Sequence, residues 1–346
     1  MALPAEIQTG RLKLRPLGAE DGPALVADLN DLAVARWLAR VPFPYAAADF
    51  RQFLGIAEPG VVWAIEDADG FAGIVSIEFV KDRQGPPDEL GYWLAQRAWG
   101  KGYMTEAARA VVGEFLATGA SVVASGYFAG NVPSAGVLRK LGFVEVGQDL
   151  RDSLSLGPGR AHVSVELTRE GFIAALPVEA QSARLSYRSL QTVDFEALHA
   201  IGSDWSVVRQ LGSWPWPPER AFTAVRARPY TGDGFVWGMF LHGVMIGTVS
   251  VTAGVFGYSL LQAHWRQGYG REAATTALNH AFARPGLAQI TASVWADNDA
   301  SCSLLRSLGF VEIKRGTEMS KARRVETSLI DMALNRADWP APPGSA

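Results

Sequence analysis

The stretch Trp99–Glu106 reads W-G-K-G-Y-M-T-E, and a second stretch, Trp265–Glu272, reads W-R-Q-G-Y-G-R-E. Each contains a tryptophan, a turn with glycine and a Gly-Tyr pair, and each leads into an alanine-rich run with helical spacing. Glycine permits backbone conformations that other residues avoid, so the pattern predicts a strand, a tight turn and a helix in succession. Two occurrences in one chain indicate an internal repeat.

Further matches flank the two stretches in the same order, as a duplicated domain requires. The offset between the copies is 173 near the start (184 − 11), 166 at the two tryptophans (265 − 99) and 167 beyond them (298 − 131). Such small drifts are what loop changes produce. The matched pairs include Arg11 with Arg184, Asp21 with Asp194, Gly73 with Gly247, Asn131 with Asn298, Ser134 with Ser301, and Phe143 with Phe310.

Length and composition agree with a duplicated globular protein. A chain of 346 residues suits two domains, and 48% hydrophobic with 19% charged residues is ordinary for globular proteins. The domains are predicted at 1–176 and 184–346, joined by a linker at 177–183 that a proline opens. The formal net charge of −3 gives no bulk attraction to nucleic acid or to an anionic membrane, so neither is predicted as a partner.

Three features predict a cytoplasmic protein without membrane spans. Cys302 is the single cysteine, which excludes an internal disulfide and indicates a reducing compartment. The N-terminal residues lack the apolar run of a signal peptide. Residues 234–265 contain no Asp, Glu, Lys or Arg, but six glycines interrupt them, so buried strands are predicted there and not a membrane helix.

Hydrophobic periodicity predicts a mixed α/β domain with a strand, turn and helix unit at its centre. Strands are predicted at Leu12–Leu17, Val61–Ile65, Ile74–Phe79, Glu89–Leu94, Val122–Tyr127, Val144–Val146 and Val163–Leu167. Helices are predicted at Glu20–Leu38, Ala46–Leu54, Thr105–Ala117 and Val132–Leu141.

The glycine turn suits an anion. A turn that feeds a helix presents backbone N–H groups at the positive end of that helix, so Gly100, Gly102 and the Thr105 hydroxyl fit a diphosphate. Taken alone, the turn fits a packing role equally well. The Rossmann pattern G-x-G-x-x-G and the Walker pattern G-x-x-x-x-G-K-[ST] are both absent.

Together, the run Glu89–Leu94, the stretch W-G-K-G-Y-M-T-E, and Asn131-x-x-Ser134 ahead of Leu141-Gly142-Phe143 resemble the GNAT acyltransferases. Within that superfamily the sequence is most similar to the RimJ/RimL-type N-acetyltransferases. The resemblance implies two tandem GNAT-like domains, each with a central mixed, mostly antiparallel sheet flanked by helices. It also implies acetyl-CoA, or another acyl-CoA, as the acyl donor, without a metal.

The resemblance also implies a donor site in each copy. The turn amides hold the pyrophosphate, the pantetheine lies along the strand before the turn, and Asn131 bonds to the pantetheine. The donor-binding residues implied in this way are Leu94, Gly100, Lys101, Gly102, Tyr103, Met104, Thr105 and Asn131 in the first copy, and Arg266, Gln267, Gly268, Tyr269, Gly270, Arg271, Asn298 and Ser301 in the second.

Transfer of an acyl group from a thioester to an amine needs positioning and removal of a proton. The resemblance makes Glu89 the candidate base and places Ser134 near the sulfur, with Asn131 beside it. Each also has a structural interpretation, since Glu89 fits a solvated strand end and the other two fit helix caps. In the second copy Val255 replaces Glu89, so that copy is predicted to be degenerate in catalysis while keeping an anion-binding turn.

The predicted function is acyl transfer from acetyl-CoA to a primary amine, either a protein N-terminal α-amine or a small-molecule amine. The alternative is an acyl-CoA-binding sensor or interaction protein in which one or both copies bind CoA without turnover. The two copies are expected to act as a pseudo-dimer. The five histidines have no metal-ligand spacing, Cys302 is predicted to be a core residue, and Trp214 and Trp216 are candidates for the wall of an acceptor site.

Overall fold

The computed structural model describes residues 3–78, 88–284 and 286–340. The chain divides into two compact units, Met1–Leu176 and Pro177–Ala346. Each unit contains its own eight-stranded sheet. The predicted fold class of two mixed sheets flanked by helices is therefore confirmed.

The described residues of the first unit form eight strands and six α-helices. The strands are β1 (Ile7–Gln8), β2 (Lys13–Arg15), β3 (Val62–Asp67), β4 (Gly70–Glu78), β5 (Glu89–Leu94), β6 (Val122–Phe128), β7 (Val144–Ser153) and β8 (Gly157–Thr168). The helices are α1 (Gly22–Leu29), α2 (Leu32–Ala35), α3 (Ala47–Ile56), α4 (Tyr103–Ala117), α5 (Val132–Leu141) and α6 (Arg169–Ala174).

The sheet of the first unit has the order β1-β2-β3-β4-β5-β6-β8-β7. Its one parallel pair is β5 and β6, which α4 connects, and all other neighbours are antiparallel. Helix α4 packs on β4 and β5 with a face of small and aliphatic residues, among them Ala107, Ala108 and Val111, that is fully buried. The other face of the sheet is covered by α1 and α3, whose Leu25 and Phe50 lie in one cluster with Trp93 of β5.

The second unit repeats this arrangement. Its strands are β9 (Ala180–Gln181), β10 (Leu185–Ser189), β11 (Gly234–Leu241), β12 (Val244–Thr252), β13 (Val255–Leu260), β14 (Gln289–Trp295), β15 (Val311–Met319) and β16 (Glu326–Asn335). Its helices are α7 (Phe195–Gly202), α8 (Trp205–Val208), α9 (Arg220–Arg226), α10 (Tyr269–Ala283) and α11 (Asp299–Ser307). The strand order is the same, and β13 and β14 form the parallel pair.

Some of the predicted elements differ in extent from the observed ones. The helix predicted at Glu20–Leu38 is broken after Leu29, because the Asn30 side chain bonds to the carbonyls of Val26 and Tyr45 and Asp31 caps a new helix. The strands β7 and β8 form a long hairpin. The strands predicted at Val144–Val146 and Val163–Leu167 are the parts of this hairpin that lie far from its turn. The end of the strand predicted at Ile74–Phe79 lies outside the described residues.

The segment predicted as a linker, 177–183, is partly folded into the second unit. Ala180 and Gln181 form β9 and pair with Tyr187 and Ser186. The neighbouring Glu179 accepts a hydrogen bond of 2.7 Å from the buried indole of Trp237. The second sheet therefore begins with β9, before Arg184, and the segment without secondary structure is shorter than the sequence predicted.

Candidate functional site

The parallel strands β5 and β6 separate almost as soon as they meet. They share one register pair, Glu89 with Ala124, and the remaining residues of both strands are not paired with each other. Where the strands part, the hydroxyl of Ser125 donates a hydrogen bond of 2.8 Å to the carbonyl of Leu90. The opening leaves strand edges that an extended ligand can join by backbone hydrogen bonds.

The glycine turn lies at the end of β5, next to this opening. Gly100 and Gly102 have φ of +73° and +77°, and Gly102 is the residue from which α4 begins. A Cβ added at Gly100 would meet no atom within 4 Å, so the glycine leaves open space in front of the turn. The first N–H groups of a helix have no partner within it, so they are available to an anion. These features fit the diphosphate of an acyl-CoA.

The repeated tryptophan holds the turn to its strand. The indole N–H of Trp99 donates to the carbonyl of Leu94, the last residue of β5, at 2.9 Å. In the second unit Trp265 donates to the carbonyl of Leu260 at 2.7 Å. The tryptophan of the sequence motif thus caps the strand and fixes where the turn begins.

An arginine and a glutamate clamp the turn from the other side. Glu106, in the first turn of α4, accepts hydrogen bonds from the backbone N–H of Arg11 at 2.8 Å and from its Nε at 2.7 Å. The same guanidinium donates to the carbonyl of Lys101 inside the turn, at 2.8 Å. In the second unit Arg184, Glu272 and the carbonyl of Gln267 make the same contacts.

The internal repeat matches Arg11 with Arg184 and Glu106 with Glu272, but the sequence does not indicate that the arginine and the glutamate touch. Arg11 and Glu106 are 95 positions apart, and no local spacing indicates that they touch. Their recurrence as Arg184 and Glu272 was the available signal. Because the guanidinium bonds to a carbonyl of the turn, the clamp fixes the position of the turn.

Glu106→Gln is expected to destabilise the first unit by about 1–2 kcal/mol at pH 7. Burial alone would raise the pKa of Glu106, but the hydrogen bonds from Thr9 and Arg11 and the charge of Arg11 lower it overall. A carboxyl group whose pKa is lower in the folded than in the unfolded protein contributes stability when the pH is above its unfolded-state pKa of about 4.3. This contribution is lost as the pH falls through the folded-state pKa. Urea unfolding at several pH values measures the difference.

Glu272→Gln is the matched variant of the second unit. Burial raises the pKa of Glu272, but Ser182 and Arg184 lower it overall, as Thr9 and Arg11 do for Glu106. Each variant should lose stability near neutral pH and approach the parent below about pH 4. A loss that is equal at both ends of the pH range would contradict the role of the charge.

Asn131 and Ser134 lie together at the start of α5. The side-chain oxygen of Asn131 accepts a hydrogen bond of 3.3 Å from the N–H of Ser134, so Asn131 is the helix cap. The hydroxyl of Ser134 lies 2.9 Å from the phenol of Tyr92 on β5, and burial raises the pKa of that phenol. Asn298 and Ser301 form the same cap, with 3.1 Å between the amide oxygen and the N–H.

Tyr92 is a further residue of the site, to which the sequence patterns above assign no role, and Tyr258 occupies its position in the second unit. The phenol of Tyr92 reaches Ser134 because the side chains of β5 alternate between the two faces of the sheet, and Tyr92 lies on the face that α4 and α5 cover. The pair fixes the Ser134 hydroxyl beside the opening between β5 and β6.

Glu89 lies on the opposite face of the sheet, within a set of six ionisable side chains that we call the charged cluster. Glu89 stands directly across from Glu78 in the β4–β5 pairing, and Glu78 is paired with Arg40. Arg151 approaches the Glu89 carboxylate to 3.5 Å and lies 3.6 Å from the carboxylate of Asp149. The cluster comprises Arg40, Glu78, Glu89, Asp149, Arg151 and His162.

His162 is the buried member of the charged cluster. Its Nδ1 lies 2.9 Å from Oδ1 of Asp149, which is its partner in the β7–β8 pairing, and its ring stands edge-on to Phe128. Burial and the charge of Arg151 lower the pKa of the imidazole, and Asp149 and Glu89 raise it by less. The imidazole is therefore mainly neutral at neutral pH.

The second unit lacks the charged cluster. By the strand register and the offset of the repeat, the positions of Glu78, Glu89, Asp149, Arg151 and His162 are taken by Thr252, Val255, Gly316, Glu318 and Leu329. The position of Arg40 is Ser213. A single carboxylate stands in place of six ionisable groups, and the exposed Val255 begins β13.

The turn of the second unit keeps its shape with different residues. Gly268 has φ of +83° and begins α10, as Gly102 begins α4, and Arg266 adopts φ of +61° at the position of Gly100. The side chain of Arg271 donates to the Ser307 hydroxyl at 2.6 Å. Tyr269 is buried and Gly270 follows it in the first turn of the helix, so the backbone groups that suit an anion are retained.

Three other residues singled out in the sequence pack against neighbouring side chains. Cys302 is buried in the core of the second unit, and burial raises the pKa of its thiol. Trp214 packs against Phe222, with ring centroids 5.3 Å apart, and Trp216 packs against Trp205 at 5.1 Å. Among the residues described, no group of three metal-ligating side chains lies close enough to hold an ion.

The chain matches the family model described as the acetyltransferase (GNAT) domain twice, at residues 11–144 and 184–311. It is 29% identical over 143 residues to the N-acetyltransferase YoaA of Bacillus subtilis, which covers 38% of this chain and 81% of that protein. The solved structure of RimJ from Mycobacterium smegmatis, in complex with CoA-disulfide, is 26% identical. This match covers 49% of the present chain and 85% of the RimJ chain, with a TM-score of 0.41.

The ribosomal-protein-S5-alanine acetyltransferase of Vibrio fischeri is 19% identical and covers 48% of this chain and 98% of its own, also with a TM-score of 0.41. In the described parts of both units, none of the helices is long and apolar enough to cross a membrane.

Proposed function

Because the chain belongs to the GNAT acetyltransferase family, we propose that its first unit transfers an acetyl group from acetyl-CoA to a primary amine at the opening between β5 and β6. One observation carries the assignment to the first unit. The turn, the opening and the charged cluster occur together there, whereas the second unit has the turn and the opening without the cluster.

The residues present fit the donor. The turn from Gly100 to Thr105 would hold the diphosphate through backbone N–H groups, with Lys101 and the N-terminus of α4 adding positive charge. The edge of β5 up to Leu94 would align the pantetheine arm as an added strand. Bound acetyl-CoA supplies an activated acetyl thioester.

The chain's own side chains then have distinct tasks. Glu89, at the start of β5, is the candidate base that removes a proton from the incoming ammonium group. On the other face, the Ser134 hydroxyl, fixed by Tyr92 and by the cap of Asn131, donates a hydrogen bond to the departing sulfur. The two groups lie on opposite faces of the sheet, as required if the amine and the leaving group meet at the opening between the strands.

The acceptor that this arrangement suits best is a protein N-terminal α-amine. Such an amine has a pKa of about 7.7–8.0, against about 10.4 for lysine, so it loses its proton more readily to a carboxylate or an imidazole. The resemblance of the sequence to the RimJ/RimL-type enzymes supports the same acceptor. A small-molecule amine is the other acceptor that the site admits.

A panel of peptides and small amines, screened for release of free CoA, tests the proposal. The peptides should differ in their N-terminal residue, and each should be paired with its N-terminally blocked form. Release that depends on a free α-amine supports the proposed acceptor. Release with small amines alone would assign a small-molecule substrate, and binding of CoA without release from any amine would contradict the enzymatic proposal.

We propose a different role for the second unit, namely acyl-CoA binding with little transfer. Its retained turn supports this role, since binding needs the turn and strand edge but not a base. Calorimetric titration with acetyl-CoA should approach two sites per chain. Gly268→Val should remove one of them, because a β-branched residue is strained at φ of +83°. A stoichiometry of one that Gly268→Val leaves unchanged would show that the second turn has no ligand.

A further inference from the structure

The His162–Asp149 pair is the feature of the first unit that the mechanism above leaves without a function. We infer that His162, oriented by Asp149, is the final acceptor of the amine proton in acetyl transfer, with Glu89 as the group that meets the amine. This inference rests on the proposed function of the first unit. It adds a proton acceptor to the reaction that no sequence motif indicated.

The first argument is the face of the sheet. Glu89 pairs with Ala124, and Phe128 pairs with His162. Ala124, Gly126 and Phe128 are two residues apart along β6, so their side chains, and those of their partners, lie on one face. Glu89 and His162 therefore flank the opening between β5 and β6 from the same side, the side away from Tyr92 and Ser134.

The second argument is the space made for the imidazole. A Cβ at Gly126 would lie 2.3 Å from Cε1 and 2.4 Å from Nε2 of His162, which no real side chain tolerates. Glycine at this position of β6 therefore lets the ring lie over the backbone of the strand that borders the opening. In the second unit Ser293 takes the place of Gly126 and Leu329 that of His162, so the glycine and the histidine have changed together.

The third argument is the orientation of the ring. Nδ1 faces the Asp149 carboxylate at 2.9 Å, which favours the tautomer with its proton on Nδ1 and its lone pair on Nε2. No residue that the structure describes donates to or accepts from Nε2, and His162 and Asp149 line a groove beside Ala129 and Leu150. An imidazole held by a carboxylate through one nitrogen, with its other nitrogen available, is the arrangement of a general base.

Charge supports the same role. Among the described residues, the charged groups that act on His162 are Asp149 and Arg151 from β7 and Glu89 from β5. Arg160, two residues from His162 on β8, lies over the ring of Phe128, and Phe128 and Gly126 of β6 contact the imidazole. The net effect lowers the pKa of the imidazole, so it is unprotonated and ready to accept a proton at neutral pH. Two carboxylates near the ring then stabilise the imidazolium that forms, as the aspartate of a Ser-His-Asp triad stabilises its histidine.

The proton balance is complete without a further reagent. An ammonium group loses one proton, through Glu89, to Nε2 of His162, and the neutral amine nitrogen forms a bond to the thioester carbonyl carbon. The nitrogen then still carries one proton more than the amide keeps, and it gives up that proton as the C–S bond breaks. The sulfur leaves as thiolate and takes up one proton to form CoA–SH. In sum, R–NH₃⁺ and acetyl-CoA give the N-acetylated amine, CoA–SH and one proton, which the imidazole releases to solvent.

The test compares His162→Gln and Asp149→Asn with the parent, using the amine that the CoA-release panel identifies. Both variants keep the size of the side chain, so the fold of the hairpin is retained. The kcat of the parent should fall as the pH drops through the lowered pKa of His162. His162→Gln should lose this acidic limb and about 10²-fold in kcat. Asp149→Asn should shift the limb to lower pH, because Asp149 raises the pKa of the ring.

Two controls separate a chemical from a structural role. Glu145→Gln removes another carboxylate of β7, one that accepts a hydrogen bond from Tyr127, and should leave the profile unchanged. His162→Gly should regain activity when free imidazole is added, which a merely structural residue would not allow. The acidic limb of the pH profile of kcat should also fall at the same pH for two acceptors whose amines differ in pKa.

The outcomes are distinct. A variant His162→Gln that keeps the parent's kcat and acidic limb, with acetyl-CoA binding intact, would overturn the assignment of His162 while leaving acetyl transfer established. A parent protein that releases no CoA with any amine would overturn the proposed function, and the inference with it.

Discussion

Replacing Glu89 with glutamine is expected to lower kcat by about 10²–10⁴-fold, the usual contribution of a general base. The affinity for acetyl-CoA should change little, because Glu89 lies at the start of β5 and the glycine turn follows the other end of that strand. The carboxylate is partly exposed and has only a long contact of 3.5 Å to Arg151, so its loss leaves no buried group without a partner. Steady-state kinetics and calorimetry measure the two effects separately.

Glu66→Gln is the matched control for this prediction. Glu66 is a partly exposed carboxylate on β3 that forms an ion pair with Arg15, and it lies outside the charged cluster. It should keep the parent's kcat. If Glu89→Gln also keeps the parent's kcat across the pH range, Glu89 is a solvated residue at the end of a strand and not the base.

A comparison of two double variants should locate the chemistry in the first unit. Asn131→Ala with Ser134→Ala is expected to lower kcat by about 10²-fold, because it removes the hydroxyl beside the departing sulfur together with the cap that positions it. Asn298→Ala with Ser301→Ala should leave most of the activity. CoA release by the full chain measures both.

The repeat makes this comparison well matched. Both pairs form the same N-cap, with 3.3 Å and 3.1 Å from the amide oxygen to the serine N–H, so each double variant loses about the same 1 kcal/mol of capping energy. A difference in activity then reflects chemistry and not folding. Should the second pair abolish activity and the first spare it, the unit without the charged cluster is the catalyst.

The sequence predicted the parts of the fold that local chemistry decides. The glycine turn followed by an alanine-rich run predicted the unit of β5, turn and α4, and the repeat predicted it a second time. The break after Leu29 was missed because it depends on Asn30 reaching the carbonyl of Tyr45, a contact with a later segment. Hydrophobic spacing alone continues through that point.

The charged cluster could not be read from the sequence because its members come together through strand register. The hairpin strands were predicted only at the ends far from their turn, so Asp149 lay outside the predicted strands. Extending the pairing outward past the bulge near Val146 places Asp149 directly opposite His162. A search for metal-ligand spacing gave the histidines no role, since the partner of His162 lies 13 residues away on another strand.

Arg266 has a consequence for how a duplicated domain diverges. It holds a left-handed conformation that favours glycine, at a cost of roughly 1–2 kcal/mol for an ordinary residue. At the matching Gly100 an added Cβ meets nothing, so the cost lies in the backbone torsion and not in a clash. A domain with about 5–15 kcal/mol of stability tolerates such a change. After duplication, either copy could therefore exchange its turn residues step by step, with each intermediate remaining folded.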